Sequence, residues 1–226
     1  IKYRGEICTK TTKKIIACLL ILMMTASILA GCSQRFDCSG YIKGMLDAMY
    51  KGDFARHVTD TQTSKDEVEE IYLEGIDIES QVLLDFLGLT KEDLPDDVYN
   101  EVMELMKDIY SYSKYEVKEA DKDGYVDIVI TPIDIYNDVY EEIMNFGTEF
   151  AERNNNYEFS DYTDEEYIHA FMDPVIEIFR KHLDPIAYSD PVTITVHVVP
   201  DSNNVYGITD EEQQEIDMTL INYTLD

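Results

Sequence analysis

The sequence predicts an α+β protein: an antiparallel sheet built from two hairpins with helices packed on one face, preceded by a helical N-terminal part. Three features of the chain lead there. Between Ile42 and Ile109 apolar side chains recur at i, i+3 and i+4, the spacing of one helix face. Near residue 114, and again at residue 192, the period drops to two, as in strands covered on a single side. Helical spacing returns between the two alternating regions, so helices and strands are segregated in runs.

Each element has its own local reason. Ile42, Met45, Leu46, Met49 and Tyr50 form one apolar face, which Gly52 ends. Ser64-Lys65-Asp66-Glu67 fits a capping box, in which a hydroxyl and a carboxylate satisfy each other's backbone N–H groups. It opens a helix carrying Val68, Ile71 and Tyr72, and a second short helix is expected over Ser80–Leu87. After Pro95 a longer helix carries Val98, Val102, Leu105, Met106 and Ile109.

Tyr115 and Val117, then Val126, Ile128 and Ile130, alternate with Lys, Glu, Asp and Thr. Asp123-Gly124 between them suits the left-handed conformations of a tight hairpin. Helical spacing resumes at Ile135, Val139, Ile143, Phe146 and Phe150 and breaks at Asn154-Asn155-Asn156. Thr163-Asp164-Glu165-Glu166 is a second capping box, heading a helix through Phe171, Val175 and Phe179 that Pro174 is expected to kink or split. Val192, Ile194, Val196 and Val198 alternate again, Asp201-Ser202-Asn203-Asn204 is turn chemistry, and Val205-Tyr206 completes the second hairpin. Thr209-Asp210-Glu211-Glu212 caps the closing helix.

Ahead of these elements stands a different kind of segment. Lys13 and Lys14 precede an apolar run, Ile15 to Ile28, followed by Leu29-Ala30-Gly31-Cys32. Basic residues, a short apolar core and small residues before a cut are the layout of a secretory signal. Ile15–Ala30 spans 16 residues, short of the roughly 20 that cross a bilayer comfortably. Leu29-Ala30-Gly31-Cys32 resembles a lipobox, the signature of bacterial lipoprotein precursors. The resemblance implies cleavage before Cys32, lipid on its thiol and a membrane anchor on the extracytoplasmic side. Two acyl chains, at about 0.8 kcal/mol per buried methylene, hold firmly where one is marginal.

The expected organisation is a cleaved signal peptide at 1–31, a lipidated Cys32 with a short tether at 32–38, and one α+β domain at 39–226. That domain divides into a helical part, 39–113, and a sheet-containing part, 114–226. The tether Ser33–Asp37 reaches less than about 20 Å. Residues 1–31 hold five of the basic groups and one acidic group, so the remainder carries 13 against 46, a formal charge of −33 compared with −29 for the whole chain. Such a surface repels nucleic acid and anionic lipid headgroups, which leaves lipid on Cys32 as the membrane partner. Cys8 and Cys18 leave with the signal peptide and lipid consumes Cys32. Cys38 alone remains, so no internal disulfide is expected.

Motifs for chemistry are sparse. Asp121-Lys122-Asp123-Gly124 looks like the start of a calcium loop, but with Gly124 sixth the twelfth position is Ile130, where a bidentate Glu is required; a hairpin turn is the better reading. Glu166-x-x-His169 resembles half of a di-iron carboxylate site. Asp173, one turn further, makes Glu166, His169 and Asp173 weak metal candidates, weighed against an exposed polar helix face. His57, His182 and His197 have no ligand spacing with one another. No nucleophile elbow, phosphate-cradling loop or His-Glu-x-x-His is present. No catalytic residue and no cofactor is therefore assigned. Most of the 17 tyrosines fall on expected core faces.

Leu46-Asp47-Ala48-Met49-Tyr50-Lys51-Gly52-Asp53-Phe54 resembles the opening of small Gram-positive lipoproteins of unknown function, and Ile130-Thr131-Pro132-Ile133-Asp134 is similar to them too. A helix-backed curved sheet also resembles cystatin-like and NTF2-like domains, which are mostly binding modules. The leading expectation is a surface-tethered, non-catalytic binding or interaction module with an unknown protein or small-molecule ligand. The alternative is an extracytoplasmic enzyme, with metal assistance through carboxylates and His169 as one form of it.

Overall fold

Ser64, Thr163 and Thr209 each accept a hydrogen bond from the backbone N–H three residues on, and Glu67, Glu166 and Glu212 each accept one in return. All three capping boxes therefore open helices, as their sequences dictate. A computed structural model describes residues 36–201 and 205–225. In chain order the elements are α1 (Cys38–Lys51), α2 (Ala55–Thr61), α3 (Lys65–Leu87), a 3-10 turn (Lys91–Asp93), α4 (Asp96–Ser111), β1 (Lys114–Val117) and β2 (Tyr125–Thr131). There follow α5 (Ile135–Asn155), α6 (Asp164–Lys181), β3 (Val192–His197), β4 (Val199–Pro200), β5 (Tyr206–Gly207) and α7 (Asp210–Leu220). The class is α+β.

The main sheet has the order β1-β2-β3, antiparallel throughout, with Tyr115 opposite Ile130 on one side of β2 and Ile128 opposite Ile194 on the other. Val126, Ile128, Ile130, Ile194 and Val196 are buried on one face, while Asp127 and Thr195 meet on the solvent face through a 2.6 Å hydrogen bond. The two hairpins are unequal. The second closes only through β4 and β5, where Val199 faces Gly207 and Pro200 faces Tyr206. Strand β3 instead runs along β2 and widens the first sheet. Gly124 makes this possible: its φ of +95° turns the β1–β2 connection, and a side chain there would lie 2.8 Å from the Val198 carbonyl. Asp121 Oδ1 accepts from the N–H groups of Asp123 and Tyr125, so the carboxylate closes a turn.

One helical expectation is corrected and another is narrowed. The segment from Ser64 to Gly88 holds one helix of 23 residues rather than two short ones. Ser80 does not start a helix; its hydroxyl donates back to the Ile76 carbonyl at 2.8 Å. Helix α6 passes through Pro174 without splitting, because Met172, Val175, Ile176 and Phe179 bury on both sides of it. One missing N–H is outweighed by that burial, at about 1.5–3 kcal/mol per large side chain.

Helix α1 packs on the sheet and on α3 and α4; α6 lies against α4, and α5 against α6. A single cluster of buried side chains includes Leu46 (α1), Leu84 (α3), Met106 (α4), Ile128 (β2), Phe179 (α6) and Ile216 (α7). The helical part and the sheet-containing part thus share one core. Phe36 and Asp37, expected in the tether, belong to the folded body. The Phe36 ring stacks 3.9 Å from Tyr206, and Asp37 caps α1 by accepting from Gly40 N at 2.9 Å. Residues 1–31 and Cys32 lie outside the described residues.

Candidate functional site

The His169 region shows what the fold makes of the weak metal candidates Glu166, His169 and Asp173. Glu166 is the third residue of α6, and its carboxylate accepts from the Thr163 N–H at 2.8 Å, closing the capping box. It is committed to its own helix start, and those hydrogen bonds hold its pKa low. Glu166 therefore does not join His169. Asp173 does: His169 Nδ1 lies 3.2 Å from Asp173 Oδ1.

The other ring nitrogen faces residues that spacing does not suggest. His169 Nε2 is 3.4 Å from Asp97 Oδ2, brought across by the packing of α4 on α6. Glu165 completes a group in which one donor atom each from Asp97, Glu165 and His169 lies within 4.8 Å of the others. The hydrogen bond with Asp173 is the largest cause raising the His169 pKa above 6.5, helped by the charges of Asp173, Asp97 and Glu165. Asp97 and Glu165 also line an open cleft of about 600 Å³, together with Asp96, Asp164, Leu94, Pro95 and Ile168.

Asp97 and Glu165 each stand in the first turn of a helix, where unpaired N–H groups and the helix dipole favour a carboxylate. That role accounts for both acids without an ion. A divalent cation could draw on Asp97, Glu165 and His169, a different set from the weak candidates Glu166, His169 and Asp173. These side chains are open to water, with His169 one-third exposed and Asp97 two-thirds exposed.

The remaining histidines stand apart. His57 is buried, with both ring nitrogens lacking a hydrogen-bond partner among the described residues. His182 bridges Asp138 and Glu142 of α5 at 2.7 and 3.1 Å. His197 stacks on Tyr125 at 4.0 Å. Cys38 is buried at the start of α1.

A second polar group lies inside the core. Glu79 of α3 and Asp217 of α7 are 7% and 6% exposed. Tyr223 Oη donates to Glu79 Oε2 at 2.6 Å; Tyr50 Oη donates to Asp217 Oδ1, which also accepts from Gln213 Nε2 at 3.0 Å. Burial is the main cause pushing the Glu79 carboxyl up to about 7, with the Tyr223 and Tyr110 hydroxyls pulling down and Asp217 adding to the rise. Burial likewise pushes Asp217 up to about 6 against the Tyr50 and Gln213 hydrogen bonds. Beside them is a cavity of about 20 Å³ lined by Met49, Tyr50, Tyr72, Tyr110, Glu79 and Asp217. It has room for about one water, far too little for an organic substrate. This pair was legible in principle: Glu79 follows Ile76 by three residues, and Asp217 precedes Leu220 by three, so both acids are in phase with a buried stripe.

The fold has a solved counterpart. It is similar to ycdA, a candidate lipoprotein of Bacillus subtilis, with a TM-score of 0.59 and 16% sequence identity, over 82% of this chain and 56% of that one. This chain thus matches little more than half the length of ycdA, and the likeness is one of fold. No family model and no curated protein matches the sequence.

Proposed function

We propose that this chain is an extracytoplasmic lipoprotein, held at a membrane by lipid on Cys32, whose folded body is a non-catalytic binding or interaction module. The observation that carries this reading is where the body begins. Phe36 is already docked against Tyr206, so three residues separate it from the cysteine of Leu29-Ala30-Gly31-Cys32. With lipid on Cys32, three residues at about 3.4 Å each would reach only about 10 Å, a leash short enough to hold the domain close to the bilayer. The fold likeness to ycdA supports the same reading, and no helix among the described residues is long and apolar enough to cross a membrane.

The binding half of the reading draws on the open cleft between α4 and α6. The carboxylates that line it complement a cationic ligand, and Leu94, Pro95 and Ile168 in the same lining offer apolar contact. A metal-assisted extracytoplasmic enzyme is the second reading, and the Asp97, Glu165 and His169 cluster is what favours it. It ranks second because the helix starts already account for both acids.

The anchor is tested by expressing the full chain and its Cys32→Ser variant with a clickable fatty acid. The parent should take label and sediment with membranes; the variant should take none and move to the soluble or secreted fraction. Equal membrane partitioning of the two would sink the proposal. Equilibrium dialysis against Zn2+ or Mn2+ tests the premise of the second reading: no binding, or binding unchanged in His169→Ala, removes the metal on which that enzyme would depend.

A further inference from the structure

Among the described residues, no lysine, arginine or histidine pairs with the buried acids Glu79 and Asp217. The groups that face them are Tyr50 of α1, Tyr72 of α3, Tyr110 of α4, Tyr136 of α5, Gln213 of α7 and Tyr223 of the C-terminal segment. Tyr72 in turn faces Glu104 and Asp108. No lysine, arginine or histidine is among them. Two negative charges in such a core would repel each other and lack solvation, so the folded state favours neutral carboxyls.

The same two acids fasten one end of the molecule. On its helical side, α7 is tied by Asp217 to Tyr50 and by Gln213 to Tyr50 at 3.2 Å, and the segment after it by Tyr223 to Glu79. On its other side α7 holds the sheet by separate bonds: Glu212 accepts from His197 N at 2.7 Å, and Leu220 O from Ile133 N at 2.9 Å. Those bonds contain no buried acid.

We propose that Glu79 and Asp217 form a proton-operated latch: as neutral carboxyls they clasp α7 and the C-terminal segment to α1, α3 and α4, and on ionisation the cost of burying two uncompensated charges outweighs the strengthened tyrosine and glutamine hydrogen bonds, draws the carboxylates toward water and loosens that clasp while the sheet-side bonds hold. In the step each carboxyl loses one proton to bulk water and gains one negative charge, and only an O–H bond breaks. The raised pKa values of both groups place the change near neutrality. The latch does not depend on the lipid, so its failure and the failure of the anchor are distinguishable.

Hydrogen exchange of the full chain in nonionic detergent tests it, with rates corrected for intrinsic chemistry. Between pH about 5 and about 8.5, protection of peptides covering 210–225 should fall about tenfold or more, while β2 peptides change less than about twofold. The double variant Glu79→Gln, Asp217→Asn should lose that pH dependence. Unchanged protection in the parent, or an equal change in the double variant, overturns the latch. Should the double variant not fold, infrared spectroscopy of the parent decides: a buried carboxylic acid band present at pH about 5.5 and lost by about 8.5 supports it, and no such band at the lower pH overturns it.

Discussion

His57 and His169 share a side chain but differ in solvation. Burial is the main cause holding His57 below 6.5, with Asp60 opposing it, whereas Asp173 holds His169 above 6.5. An NMR titration should therefore place the His57 midpoint below 6.5 and the His169 midpoint above it, and Asp173→Asn should bring His169 back down. The signs for stability follow from which state binds the proton more tightly. His57 binds it better when unfolded, so its contribution is present above 6.5 and is lost as pH falls. Glu79 and Asp217 bind it better when folded. Their contribution is full below their ordinary values of 4.5 and 3.8 and is lost as pH rises through about 7 and about 6. Urea midpoints should then peak on the acid side of neutrality; a maximum above pH about 8 would contradict this assignment. Glu166 carries the other lesson at this scale. It was legible both as a cap and as a metal ligand, and one carboxylate cannot close the box at Thr163 and turn toward His169 as well.

Local rules served best for helix starts and turns. Thr163→Ala removes the hydroxyl that accepts from Glu166 N, and urea unfolding should show a loss of about 1 kcal/mol. Gly124→Ala should cost more, about 1–3 kcal/mol, because the position has a positive φ and its new methyl group would meet the Val198 carbonyl. A loss below about 0.5 kcal/mol would show that the turn relaxes freely. The continuity of α3 was not legible. Leu73 is exposed and Gly75 meets open space, so the apolar stripe fades in mid-helix and reads as a break. Packing of Val68 and Ile71 before the gap, and of Ile76, Leu83 and Leu84 after it, joins the two halves.

Taken whole, the chain carries a formal charge of −29. Self-repulsion between exposed carboxylates weakens such a fold, and salt screens it. Raising salt from about 0.02 M to about 0.5 M should lift the Tm by a few degrees, about 2–4 °C. A Tm that falls over that range would mean that ion pairs such as Lys181 with Glu142, at 2.8 Å, outweigh the repulsion.

Periodicity, caps and turn residues by themselves determined the class, the order of most elements and the face each buries, because these follow from contacts within a few residues. Only the tertiary structure decided that β3 lies along β2, that Asp97 meets His169, and that Glu79 and Asp217 share one core. Each of those joins residues far apart in the chain, and a linear pattern cannot specify which of several compatible faces will meet.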